Sequence, residues 1–227
     1  MGPCLRRGTV FVIVMFDPDA AEDAFYPDMR DPRVMVAVPR ERRPAMAALW
    51  GLAARLTKLL ADAREPLIGQ IKLAWWRDMA AMIANDPAAL PKGEPLLAEL
   101  QASWARQVGL DALVDAAEAM LLAESDAERR GASEGFGAHL FALSGGAKAG
   151  GRRWGLLWGA GVVEAEPEAR VLLADAGNST TPARRDFGGS RALLMLDRWA
   201  GLIASHEGDR RLRSEGLLLL RIGLFGR

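Results

Sequence analysis

Cysteine and histidine are nearly absent from this chain: Cys4 stands alone, and His139 and His206 are the two histidines in 227 residues. One thiol forms no internal disulfide and offers no thiol-based metal site, which fits a reducing compartment. Two histidines far apart, with no cysteine or acid cluster beside them, give no histidine-based metal site either. A charge surplus is missing too. Lys and Arg number 29, Asp and Glu 29, so nothing points to a nucleic-acid partner. No apolar run approaches the roughly 20 residues that a membrane span needs. Glycines and a lysine meet in SGGAKAGG, but without the phosphate-loop spacing or a preceding strand, and no glycine-flanked serine occupies a strand-to-helix turn.

What is present is alanine and leucine, a balance that favours helices over sheets when aromatics make up only 7% of the chain. The N-terminal MGPCLRRGTVFVIVMF starts like a signal peptide, yet its apolar run is short and FDPDAAED follows with no small-residue cleavage site. A start at Met15 is the expectation, with residues 1–14 outside the native protein. Residues 1–38 form a lead-in, in which Asp17, Asp19, Glu22 and Asp23 are solvated and Pro27, Pro32 and Pro39 keep the chain extended. From 39 to 227 the pattern is one helical domain. Apolar spacing, prolines at first turns and closing glycines place helices near 44–60, 66–84, 95–108, 111–128, 133–146, 152–163, 167–176, 190–205 and 209–225. The fold class is therefore all-α, a single bundle of eight or nine helices.

Two segments bring basic residues to apolar helices. VPRERRPAMAALW sets Arg40, Arg42 and Arg43 ahead of the first long helix, where a helix N-terminus already favours anions. Three arginines there suit a phosphate or diphosphate; a solvated charged turn is the plain alternative. In EPLIGQIKLAWWRD, the helical period puts Ile68, Gly69, Lys72, Trp75, Trp76, Met79 and Ile83 on one broad face, apolar except for Lys72. Such a helix either belongs to the core with a snorkelling lysine or lines an apolar cavity with a cationic spot inside it.

The stretch VAVPRERRPAMAALWGLAARLTKLLADAREPLIGQIKLAWWRDM resembles the N-terminal part of the squalene/phytoene synthase family. There a PRERR-like turn leads into an A-L-Y-A-F helix and then E-P-x-x-G-x-I-R-L-x-W-W-R-D. The matching residues are Pro39 to Arg43, Ala48 to Leu52 and Glu65 to Asp78, with Lys72 where an arginine is usual. SEGFGAHLFALSGGAKAGGRRWGLLWGAGVV is similar to the family's A-G-x-L-x-x-L helix and the one after it, and RALLMLDRWAGLI and LLLLRIGLFGR echo the last two. The resemblance runs from about Val34 to Val163. It implies an isoprenoid synthase-like bundle around an apolar cavity for prenyl chains, lined here by Leu49, Ala53, Leu56, Ile68, Trp75, Trp76 and Met79. Arg40, Arg42, Arg43, Lys58, Lys72 and Arg77 would hold a diphosphate or another anion.

Active members of that family ionise an allylic diphosphate with Mg²⁺ held by two aspartate-rich motifs on facing helices. At the first motif this chain reads Thr57, Lys58, Leu59, Leu60, Ala61 and Asp62, so only the last acid survives. Lys58 replaces a cation-binding group with a cation, and two like charges about 4 Å apart cost about 4 kcal/mol at an effective dielectric near 20. At the second, VVEAEPEARVLLAD offers Glu164, Glu166 and Glu168 around the helix-interrupting Pro167. The resemblance thus implies no catalytic residue, no metal ligand and no cofactor: a non-catalytic member, like the relatives implicated in assembling respiratory complex I. Its expected partners are an isoprenoid or prenyl diphosphate, or another protein. Two readings stay beside it, a Mg²⁺-dependent prenyl transferase using Asp62, Glu65, Glu164 or Glu168, and a ligand-free helical adaptor with Trp75 and Trp76 in its core. SEGLLLLRIGLFGR, with Arg213, Arg221 and Arg227, is expected to pack on its own bundle, docking on an anionic surface or a partner being the alternative. The expected location is the cytoplasm, with peripheral contact at the inner face of a membrane.

Overall fold

The computed structural model describes residues 25–226. Its helices are α1 (Pro32–Met35), α2 (Arg43–Ala61), α3 (Pro66–Asn85), α4 (Pro95–Trp104), α5 (Leu110–Leu121), α6 (Asp126–Leu143), α7 (Lys148–Val162), α8 (Glu166–Asn178), α9 (Arg191–Ser205) and α10 (Leu212–Phe225). Single 3-10 turns cover Arg40–Arg42, Pro87–Ala89 and Arg184–Phe187. Among the described residues there is no strand, so the all-α class holds. No helix among them is long and apolar enough to cross a membrane. The start at Met15 and the acids Asp17, Asp19, Glu22 and Asp23 lie outside the described residues.

Local chemistry starts most of these helices. Pro44, Pro66, Pro95 and Pro167 occupy first turns, where their missing N–H is no loss. Ser190 caps α9 by accepting from Leu193 N at 3.3 Å. Ser125 and Glu128 close a reciprocal capping box at the start of α6. That box corrects the expected helix over 111–128: α5 ends at Leu121, and Glu128 belongs to the next helix. The helix expected to reach Val108 ends at Trp104. There the Trp104 indole donates to Ala45 O at 2.8 Å and Arg106 N to Ile83 O at 2.8 Å, so contacts distant in sequence outweigh the local period.

Residues 25–38 do not run as the extended lead-in expected of them but fold against the body, with the short α1 inside them. Tyr26, Met29, Val34 and Val38 are buried, and the Trp154 indole donates to Pro27 O at 2.7 Å. Asp28 and Asp31 each accept from the backbone N–H two residues on, at 2.7 and 2.8 Å, which satisfies the turns between the prolines. The packed body therefore extends at least from Phe25, not from Pro39.

α7 occupies the centre, touching α2, α6, α8 and α9. Its approach to α6 is made by small residues one turn apart. A Cβ on Gly151 would stand 2.0 Å from Gly137 O, and one on Gly155 would stand 2.2 Å from Ser133 O. Only glycine lets these backbones meet. The adjoining face of α7 carries Trp154 and Trp158, fully buried with Trp50, Phe136 and Phe141.

Candidate functional site

The tryptophan pair of α3 divides between core and surface. Trp76 is buried beneath the Arg55 guanidinium, 5.8 Å from its ring, and Arg55 reaches Glu94 at 3.2 Å. Trp75 packs edge-on against Trp76 with centroids 5.0 Å apart and is 40% exposed. The buried arc runs through Gly69, Leu73, Trp76, Ala80 and Ile83. Gly69 sets this rotation, because its missing side chain admits Leu121 of α5, 2.8 Å from where a Cβ would be. Ile68, 47% exposed, and Trp75 consequently stand outside the interior that they were expected to line. Leu49, Ala53, Leu56 and Met79 are buried, packed in the core with Trp76.

The six basic residues do not form one site. Arg43 donates to the carbonyls of Val38 and Val36, at 3.1 and 3.2 Å, and Arg42 donates to Ser144 O at 3.3 Å. Both thereby tie the chain before α2 to its surroundings, while Arg40 is exposed. Lys58 lies fifteen residues beyond Arg43 on the same helix, about 22 Å along the axis at 1.5 Å per residue. Lys58 is half-buried and Lys72 exposed. Arg77, expected at an anion, is held instead between Asp115 and Glu118 of α5, each at 2.6 Å. The Glu118 hydrogen bond and then that of Asp115 raise its pKa further.

Where the resemblance puts the first acid motif, Thr57 is buried. Its hydroxyl donates to Ala53 O at 2.8 Å and accepts from the Trp158 indole at 2.9 Å. Trp158 stacks on Phe136 with centroids 3.9 Å apart, and Trp50 meets Trp154 at 5.1 Å. Trp50 in turn donates to Ser144 Oγ at 3.0 Å. Tyr26 closes the cluster edge-on against Trp154, and its buried hydroxyl lies near Thr57 without a well-formed hydrogen bond among the described residues. Burial raises that phenol well above its ordinary pKa, against a smaller lowering by Thr57. The interior expected to hold a prenyl chain contains at this point interlocked aromatic rings.

A cavity of about 180 Å³ does open at the far end of α2. Leu60, Met120, Leu121, Ala123, Val162 and Val163 supply its apolar wall, and Arg129 and Glu168 its charge. It lies between the two stretches where the resemblance would place metal-binding acids. The acids present do not fit a Mg²⁺ cluster. Glu168 pairs with Arg129 at 3.2 Å, Glu166 pairs with Arg170, and Glu164 and Asp62 are exposed. Among the described residues no three carboxylate, imidazole or thiol groups come together as a metal site.

Sequence reasoning missed a buried ion pair. Arg153 of α7 grips Asp197 of α9 at 3.0 and 2.5 Å, and Arg198 adds a second ion pair to the same carboxylate. Arg153 also donates to Thr181 Oγ1 at 3.1 Å and Arg198 to Pro182 O at 3.0 Å, which pins the loop between α8 and α9. Burial pushes the Asp197 carboxyl up, against the pull of Arg153 and Arg198. The available signal was a charge inside each of two apolar runs, RRWGLLW and LLMLDRW. Searched against protein-family models, curated proteins and solved structures, the chain finds no match.

Proposed function

We propose that this protein is a non-catalytic helical adaptor on a squalene/phytoene synthase-like bundle, of the kind implicated in assembling respiratory complex I. One observation carries the reading. At the position where the resemblance puts the first metal-binding motif, Thr57 is committed to Trp158 and Ala53, inside a cluster of buried aromatic rings. A buried hydroxyl and a lysine beside it bind no divalent cation. The adaptor work falls to the surface. Leu67, Ile68, Ile71 and Trp75 form an exposed apolar strip along α3, and Glu65, Lys72 and Asp78 flank it with charges of both signs. An apolar centre with an aromatic anchor and a mixed polar rim is the anatomy of a protein contact.

The test is incubation of the full chain with farnesyl or geranylgeranyl diphosphate, Mg²⁺ or Mn²⁺ and NADPH. Diphosphate release and extractable hydrocarbon are measured, with a parallel thermal melt. The adaptor reading expects no turnover and an unchanged melting temperature. Turnover would establish an enzyme with atypical metal ligands. Stabilisation without turnover would replace the adaptor with an isoprenoid-binding protein.

A further inference from the structure

Helix α10 turns one row of leucines outward. Leu217, Leu220, Leu224 and Phe225 are 58–68% exposed, at spacings of three and four residues that put the leucines on one face. Its opposite face holds it to the body through Leu219, Ile222 and Glu215, all buried. The Glu215 carboxylate accepts from the Trp199 indole of α9 at 2.8 Å and from Arg210 at 2.9 Å. The helix is thus fixed in place with an apolar side left uncovered.

The exposed charges of α10 itself have one sign. Arg213 and Arg221 are the ionised residues on the exposed part of α10, its single acid being the buried Glu215. Arg184 and Arg191 reach its C-terminal carbonyls, donating to Gly226 O and Gly223 O, and bring two more positive charges to that end. The nearest exposed acids in sequence, Glu207 and Asp209, lie in the turn before the helix. The α3 strip differs here, since acids and a lysine border it together.

We infer that α10 is an interfacial helix that docks the protein on an anionic lipid surface. Leucines enter the boundary between headgroups and acyl chains while arginines meet lipid phosphates, the division of labour of helices lying in a membrane plane. With 14 residues the helix is about 21 Å long at 1.5 Å per residue, too short to span the hydrocarbon core. A second copy is the poorer occupant. Two α10 faces brought together about a two-fold axis set arginines against arginines, whereas lipid phosphates complement them. This surface is separate from the Thr57 and Trp158 cluster, so a catalytic result there leaves it untouched, and its failure leaves the adaptor reading standing.

The experiment is sedimentation of the full chain with vesicles of phosphatidylcholine alone or mixed with anionic phosphatidylglycerol, at low and high salt. Wild type binds the anionic vesicles, and more weakly as salt rises. The pair Leu220→Ser and Leu224→Ser, both at exposed positions, retains the helical circular dichroism and loses affinity about tenfold or more. The pair Arg213→Gln and Arg221→Gln weakens anionic binding and flattens the salt dependence. Absence of vesicle binding overturns the inference. Binding that survives the leucine pair overturns it too, assigning attachment to another segment. A dimer in solution that the leucine pair abolishes, without vesicle binding, makes the face an interface between copies instead.

Discussion

Helices α7 and α10 are made of similar material, apolar residues interrupted by glycine and arginine, yet one lies at the centre of the body and the other along its edge. In α7 the glycines Gly151, Gly155 and Gly159 recur every fourth residue and line up on Ser133 and Gly137 of α6. In α10 the glycines Gly216 and Gly223 stand seven apart, and a Cβ on either would meet nothing within 4 Å. Close backbone approach multiplies dispersion contacts along α7. The α10 backbone stays at arm's length, anchored by Leu219, Ile222 and the Glu215 cluster, while Leu217, Leu220 and Leu224 face outward. The pair teaches that glycine spacing, more than hydrophobicity, separates a central helix from a surface one here.

The strongest way to break the comparison is to give α7 a side chain at its seam. Gly155→Val drives two methyl groups into Ser133 O and Gly137, and we expect a loss of about 3 kcal/mol or more of stability, read as a lower urea midpoint. A midpoint within error of wild type would mean that the helices part at no cost and that the seam is not what centres α7. Next comes the anchor of α10. Glu215→Gln removes the charge that Arg210 and the Arg211 N–H bind, for an expected cost of about 2 kcal/mol.

Glu215 also sets a pH dependence. Burial by itself would raise its pKa, but Arg210, the Trp199 indole and the Arg211 amide together outweigh burial and hold it below the ordinary 4.5. A carboxyl depressed in the folded state stabilises above its unfolded pKa, and that stabilisation disappears as pH falls through the lower folded value. Acid titration of wild type should therefore show α10 loosening below pH 4.5, a step missing from Glu215→Gln. Hydrogen exchange resolved to residues 212–225 reads it. The smallest effect sharpens the comparison from the other side. Gly216→Ala and Gly223→Ala face open space, so each should stabilise by about 0.5–1 kcal/mol through helix propensity, with the opposite sign to any substitution at Gly155.

How far the site could be read in advance differs from residue to residue. The helix carrying WWRD was legible from Pro66 and from the apolar period, and its observed span is Pro66–Asn85. Which tryptophan goes inside was not, because both outer and inner arcs of that helix are apolar and a small rotation exchanges them. The arginine turn was legible as a helix start, but the sequence could not show that Arg42 and Arg43 hold carbonyls of Ser144, Val38 and Val36. Those acceptors are set by where other segments pass. Arg153 and Asp197 escaped notice for a related reason: 44 residues separate them, and each alone reads as an ordinary charge in an amphipathic helix.

What the sequence by itself determined is local. Prolines without an N–H start α2, α3, α4 and α8, Ser125 and Ser190 cap α6 and α9, and Gly145, at φ +97°, follows the end of α6 in a backbone conformation that glycine adopts freely. These devices act within a few residues, so the chain needs no tertiary partner to specify them. The tertiary structure alone decided which apolar faces are covered. It placed Leu121 over Gly69, Trp154 over Pro27 and Trp158 over Thr57, and left Trp75 and Leu217, Leu220 and Leu224 of α10 outside. Apolar residues want burial without regard to direction; only the shapes meeting across the bundle choose which of them obtain it.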